Sequence, residues 1–187
     1  EQFEVVLSYE GSEYLFYVNI VDNDRIEEIS EDELGYYTSD THPSMELSWS
    51  DEFNGDRLNE TYWTFELGDG CDKDLCGWGN EELQLYSNEE QNVHVDEGFL
   101  TITATENSGI YKSARIITQD KVEEQFGRID IRAKIPKGQG LWPAIWMLGA
   151  NIDQVSWPKC GEIDIMELLG HEPEKTHGTL HYDGGSG

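Results

Sequence analysis

The chain has 187 residues, and 39 acidic against 12 basic side chains leave it a formal net charge of −27. That balance excludes a nucleic-acid binder, which needs Lys and Arg to neutralise phosphates, and it opposes adsorption to anionic membranes. Six Trp and nine Tyr, within 11% aromatic residues, argue for a packed core and supply flat apolar faces.

In chain order, residues 1–24 hold two strand-type runs, FEVVLSYEG and EYLFYVNIVDND, with a Gly-Ser break between them. Residues 25–44 are acidic and aperiodic and read as a linker. From residue 45 the texture changes. Short β-type runs recur as MELSWSDEF, LQLYS, NVHVDEGFLTITATE, SARIITQD, GRIDIRAKI, LWPAIWML, GEIDIMELL and HGTLHYD. Turns containing Gly, Asn and Asp separate them at fairly regular spacing, a rhythm that predicts an all-β sandwich or jelly roll. Within GRIDIRAKI, Arg128, Asp130, Arg132 and Lys134 alternate with Ile129, Ile131, Ala133 and Ile135, giving one polar and one buried face. No convincing helix is expected, and no run is long and apolar enough to cross a bilayer.

Cys71 and Cys76 flank the polar loop CDKDLC and could close a small disulfide. Four intervening residues fit neither a redox C-x-x-C nor a usual zinc spacing. A disulfide here would point to an oxidising, extracellular compartment. Cys160 reads as a packed thiol rather than a nucleophile.

The segment GEIDIMELLG concentrates the chemistry. Glu162 and Asp164 are two apart and share a strand face. Glu167 is five from Glu162, so a regular strand would turn it into the core beside Ile163, Ile165 and Leu169, where a charge is costly. One extra residue absorbed by a β-bulge near Ile165 or Met166 returns Glu167 to the face of the other two. Retaining glycoside hydrolysis uses two carboxyl groups about 5–5.5 Å apart, one as nucleophile and one as acid/base. A third carboxylate between them can tune both. The competing readings are a solvated acidic face or a calcium site.

These residues, with their neighbours, resemble a known family. Residues 46–187 are similar to the bacterial laminarinases, the endo-β-1,3-glucanases of glycoside hydrolase family 16. The matching segments are LSWSDEFNG, CGWGNEELQLY, NVHVDEGFLTITA, YKSARIITQDK, FGRIDIRAKIPKGQGLWPAIWMLG, WPKCGEIDIMELLG and HGTLHY. The resemblance implies a β-jelly-roll sandwich of two antiparallel sheets, with residues 45–187 a catalytic domain incomplete at its C-terminus. It implies Glu162 as nucleophile, Asp164 as its assistant and Glu167 as acid/base. It also implies that Asn80 and Arg115 bind sugar hydroxyls, that Trp142, Trp146 and Trp157 line the cleft, and that His181 lies near the acceptor side. For the tryptophans core packing is the alternative, for Arg115 a structural ion pair. His177 and His181 share a strand face without a convincing third zinc ligand.

The chemistry implied needs no cofactor. Structural calcium is expected from the resemblance, with Glu52 and the carbonyl of Gly98 as ligands. The expected partner is a β-glucan polysaccharide, with neither nucleic acid nor membrane insertion. Residues 1–24 resemble the end of a Calx-beta module, which suits a secreted, multi-modular protein. Mixed-linkage glucan, a marine galactan, or a glucan-binding fragment without catalysis are the alternatives to laminarin hydrolysis.

Overall fold

In the computed structural model, residues 46–186 are described together with two N-terminal backbone strands, β1 (Gln2–Tyr9) and β2 (Ser12–Ile20). The linker expected at 25–44 lies outside the described residues. The chain divides into two compact units, residues 48–123 and a second formed by 124–187 with the N-terminal part.

Seven of the described strand pairings are antiparallel and two are parallel, and the expected all-β class is observed. In the unit 48–123, β3 (Thr64–Glu66) pairs antiparallel with β9 (Arg115–Ile117). The strands β4 (Gln84–Tyr86), β8 (Ile110–Ser113) and β7 (Thr105–Asn107) form a second ladder, and there β4 runs parallel to β8. The hairpin of β5 (Val93–Asp96) and β6 (Phe99–Ile102) is the clearest translation of sequence into structure. Val93 and Val95 are buried while His94 and Asp96 are exposed, the period-two pattern of a half-buried strand. Glu97 and Gly98 close it with φ of 50° and 80°, the positive pair a two-residue hairpin turn requires. Ser108 and Gly109 repeat that device between β7 and β8.

Of the run MELSWSDEF, expected as a strand, the described residues 46–53 form no strand. Its aromatic side chains are used in another way. The Trp49 ring packs edge-on against Tyr62 and Trp63, and Phe53 stacks on Trp63. Asp51 accepts a hydrogen bond from Trp63 Nε1 at 2.8 Å, which fixes the segment without a ladder.

In the second unit, β1 pairs antiparallel with β2, and β2 runs parallel to β10 (Ile129–Ala133). A four-stranded antiparallel sheet follows in the order β11 (Ala144–Leu148), β12 (Glu162–Leu168), β13 (Thr176–Tyr182) and β14 (Gly185–Ser186). One helical turn, Ile152–Val155, lies between β11 and β12. Ile165, Met166 and Leu168 form the core, only 1%, 0% and 2% exposed. Ile129, Ile131 and Ile135 pack against them, the apolar face read from GRIDIRAKI. Burying each of these large side chains is worth about 1.5–3 kcal/mol, so β12 is anchored from its inner face. Where β11 ends, Gly149 donates to the Gly161 carbonyl at 2.9 Å. A Cβ there would sit 1.9 Å from the Cys160 carbonyl oxygen, so only glycine allows the chain to approach the foot of β12.

Candidate active site

The carboxylate strand is irregular where its sequence requires it. Against β11, Ile145 faces Met166 while the next residue, Trp146, faces Asp164, so Ile165 has no partner. Against β13, Asp164 faces Thr179 and Glu167 faces His177: three steps on β12 against two on its neighbour. This is a β-bulge with one extra residue. Ile165 and Met166 both turn into the core, and Glu167 returns to the face of Glu162 and Asp164.

That face carries a connected set of polar groups. His181, directly opposite Glu162, has its Nε2 3.1 Å from Asp164 Oδ2 and 3.7 Å from Glu162 Oε1. Asp164, 3% exposed, also shares a hydrogen bond with Glu162. Burial pushes its carboxyl up from 3.8 to about 6, and the Glu162 charge adds to this against an opposing pull from His181. Glu167 is raised as well, first by burial and then by the charge of Asp164, while a hydrogen bond from Trp142 works the other way. Two carboxyl groups with raised proton affinity therefore share a strand face with Glu162, and one proton can be held between Asp164 and Glu162.

The tryptophans differ in placement. Trp142, 46% exposed, lines an open depression of about 270 Å³ with Glu167, Leu169, His177 and Thr179. Trp146 stands across from Asp164 on β11. Trp157, 54% exposed, tilts against the His181 ring at 5.8 Å. His177 and Thr179 were not among the expected site residues. Their signal was the two-residue period 177, 179, 181 in HGTLHY, which puts all three opposite the carboxylates.

Asn80 and Arg115 belong to the other unit. Asn80 is exposed and its Nδ2 donates to Glu82 at 3.2 Å. Arg115 pairs through Nε with Glu66 at 2.5 Å and lies over the Trp78 ring at 4.7 Å. Cys71 and Cys76 are bonded, closing the turn ahead of Trp78. Glu52 is exposed, and Gly98 sits in the β5–β6 turn near the Asn54 side-chain oxygen. Among the described residues, the group of three donor side chains close enough to share a cation is Glu162, Asp164 and His181, within 4.8 Å of one another. Glu52 is not part of it.

The profile of Glycosyl hydrolases family 16 matches residues 79–187. The chain belongs to that family. Family 16 relatives include glucan endo-1,3-beta-glucosidase A1 of Niallia circulans, 41% identical over 81% of this chain and 24% of its own length. The beta-glucanase of Rhodothermus marinus is 42% identical over 79% of this chain and 52% of its own. Among solved family 16 structures, the laminarinase catalytic domain of Thermotoga maritima MSB8 superposes with a TM-score of 0.67 at 46% identity. That match covers 73% of this chain and 57% of the other. The β-jelly-roll sandwich expected from the sequence is the fold of these relatives. The chain thus spans between about a quarter and a half of the curated relatives it matches.

Proposed function

We propose that this chain carries the catalytic residues of a retaining endo-β-1,3-glucanase that cleaves laminarin-like glucan by double displacement. The observation that carries the reading is the bulge between Asp164 and Glu167, which gives three carboxylates one face of β12. In the first step Glu167 protonates the glycosidic oxygen while the Glu162 carboxylate attacks the anomeric carbon, forming a glycosyl ester and releasing the leaving sugar. In the second, Glu167 takes a proton from water, the water oxygen attacks the same carbon, and the Glu162 carboxylate departs. A raised Glu167 retains the proton it must donate. Asp164, hydrogen-bonded to Glu162, moderates the charge of the nucleophile as it forms and leaves the ester.

Asn80 and Arg115 are proposed to bind sugar hydroxyls, Trp142 and Trp146 to stack on sugar rings with Trp157 beside them, and His181 to bind substrate on the acceptor side. No cofactor enters the chemistry. Structural calcium would take oxygen from Glu52 and the Gly98 carbonyl, a hard donor set that suits the ion; it has no part in the steps above. The Cys71–Cys76 disulfide supports a secreted protein. Residues 1–24 are proposed as the end of a preceding β module, 25–44 as an acidic linker and 45–187 as part of the catalytic domain.

The test is reducing-sugar release from laminarin, with lichenan and agarose for comparison, by the chain and its Glu162→Gln variant. Laminarin is expected to be the fastest substrate. The variant should lose hydrolysis yet still be retarded by laminarin in a native gel. Undiminished hydrolysis by Glu162→Gln would remove the nucleophile from this reading, and faster cleavage of lichenan or agarose would change the sugar.

A further inference from the structure

A second polar assembly, inside residues 48–123, is organised around a carboxylate that the chemistry above does not use. Glu66 is 8% exposed on β3 and is the cross-strand neighbour of Arg115 on β9, so both project from one face. Glu66 Oε2 meets Arg115 Nε at 2.5 Å, and Oε1 accepts from Lys73 Nζ at 2.6 Å. The Arg115 guanidinium lies 4.7 Å from the centre of the Trp78 ring and 6.0 Å from that of Tyr86. Trp78 is itself fixed. It is 4% exposed, its Nε1 donates to the Gly68 carbonyl at 3.2 Å, and its ring packs on Tyr86 at 5.4 Å.

One edge of the guanidinium is thus held by a carboxylate and one face by an indole. The ion pair and the ring contact together restrict the guanidinium more than either would alone. Lys73 belongs to the turn closed by the Cys71–Cys76 disulfide, and Asn80 follows that turn by four residues. Gly70, which opens the turn, has φ +81°, and a Cβ on it would meet the Leu75 carbonyl oxygen at 2.3 Å. The turn, the indole and the carboxylate therefore form one braced unit around Arg115.

We propose that Glu66 is a positioning residue for glucan binding: it acts through Arg115, whose guanidinium it orients against Trp78. The inference rests on the reading of Arg115 as a contact to sugar hydroxyls. A buried carboxylate of this kind has a structural alternative, to neutralise Arg115 and Lys73 and no more. Orientation and neutralisation predict different behaviour in a double-mutant cycle.

Laminarin affinity is measured by gel retardation of the full chain in a Glu162→Gln background, where substrate is not consumed. Glu66→Gln should weaken binding by about tenfold, Arg115→Ala by at least as much, and the double variant no more than Arg115→Ala alone. Glu66→Asp, which keeps the charge but draws it back by one methylene, should give an intermediate loss and serves if Glu66→Gln does not fold. Lys112→Ala, whose partner is Glu89 rather than Glu66, should bind laminarin normally. With Glu162 in place, Glu66→Gln should raise KM with kcat within about twofold, since it touches binding rather than chemistry. Multiplying effects of Glu66→Gln and Arg115→Ala would overturn the proposal, as would normal binding by Glu66→Gln and Glu66→Asp beside a weakened Arg115→Ala. Normal binding by Arg115→Ala would instead remove Arg115 from the glucan and defeat the earlier reading.

Discussion

The unit of residues 48–123 and the strand Glu162–Leu168 both bury carboxylates, but they surround them with opposite company. Glu66 is met by Arg115 and Lys73. Asp164 and Glu167 are met instead by other carboxylates, by histidines and by the Trp142 indole, and both are raised. Burial alone therefore does not decide what a carboxylate is for. A buried acid paired with a cation is committed to that partner, whose position it constrains. A buried acid facing another acid is left able to hold or release a proton, the condition acid/base chemistry requires.

The sharpest way to break this contrast is to remove the proton donor. Glu167→Gln keeps the shape of the side chain and cannot transfer a proton. Hydrolysis of laminarin should fall by about 10²- to 10⁴-fold, whereas an aryl β-glucoside with a good leaving group should lose much less in its first step. A uniform loss on both substrates would place Glu167 in binding rather than in proton transfer. Next in size is the anchor beneath the site. Met166→Ala removes a side chain that is 0% exposed and should cost about 2–5 kcal/mol in denaturant unfolding. Leu83→Ala, at a position 79% exposed, should stay within about 0.5 kcal/mol. Equal losses at the two positions would mean that β12 is not anchored by its inner face.

The feature that positions Glu167 is legible in the sequence. Five is an odd number, Glu167 could not be left among Ile163, Ile165 and Leu169, and a bulge was the local solution; Ile165 and Met166 supply it. The Cys71–Cys76 bond and the apolar face of GRIDIRAKI were equally local and equally readable. What escaped depends on contacts between distant segments. MELSWSDEF has a strand's composition, yet Trp49 and Phe53 find Tyr62 and Trp63, and no strand is needed. The parallel pairing of β4 with β8 and the choice of Arg115 and Lys73 as partners of Glu66 follow from registers that periodicity does not encode. His177 and Thr179 were readable in outline, but their place opposite the carboxylates depends on how β13 pairs across the bulge.

The last prediction sharpens the contrast most, because it isolates one proton. Asp164 has a folded-state value of about 6 against an ordinary 3.8, so the folded chain holds this proton more tightly than the unfolded chain does. The stability it contributes is fully present below about pH 3.8 and is lost as pH rises through about 6. Asp164→Asn keeps the outline of the side chain and removes the titration. Unfolding midpoints of the chain and the variant should therefore diverge between pH 4 and pH 7, with the variant gaining relative stability toward neutral pH. The same variant should lose glucanase activity, since its amide cannot share a proton with Glu162. A midpoint difference that stays constant across that range would mean that Asp164 feels neither its burial nor the Glu162 charge. The contrast between paired and opposed carboxylates would then rest on Glu167 alone.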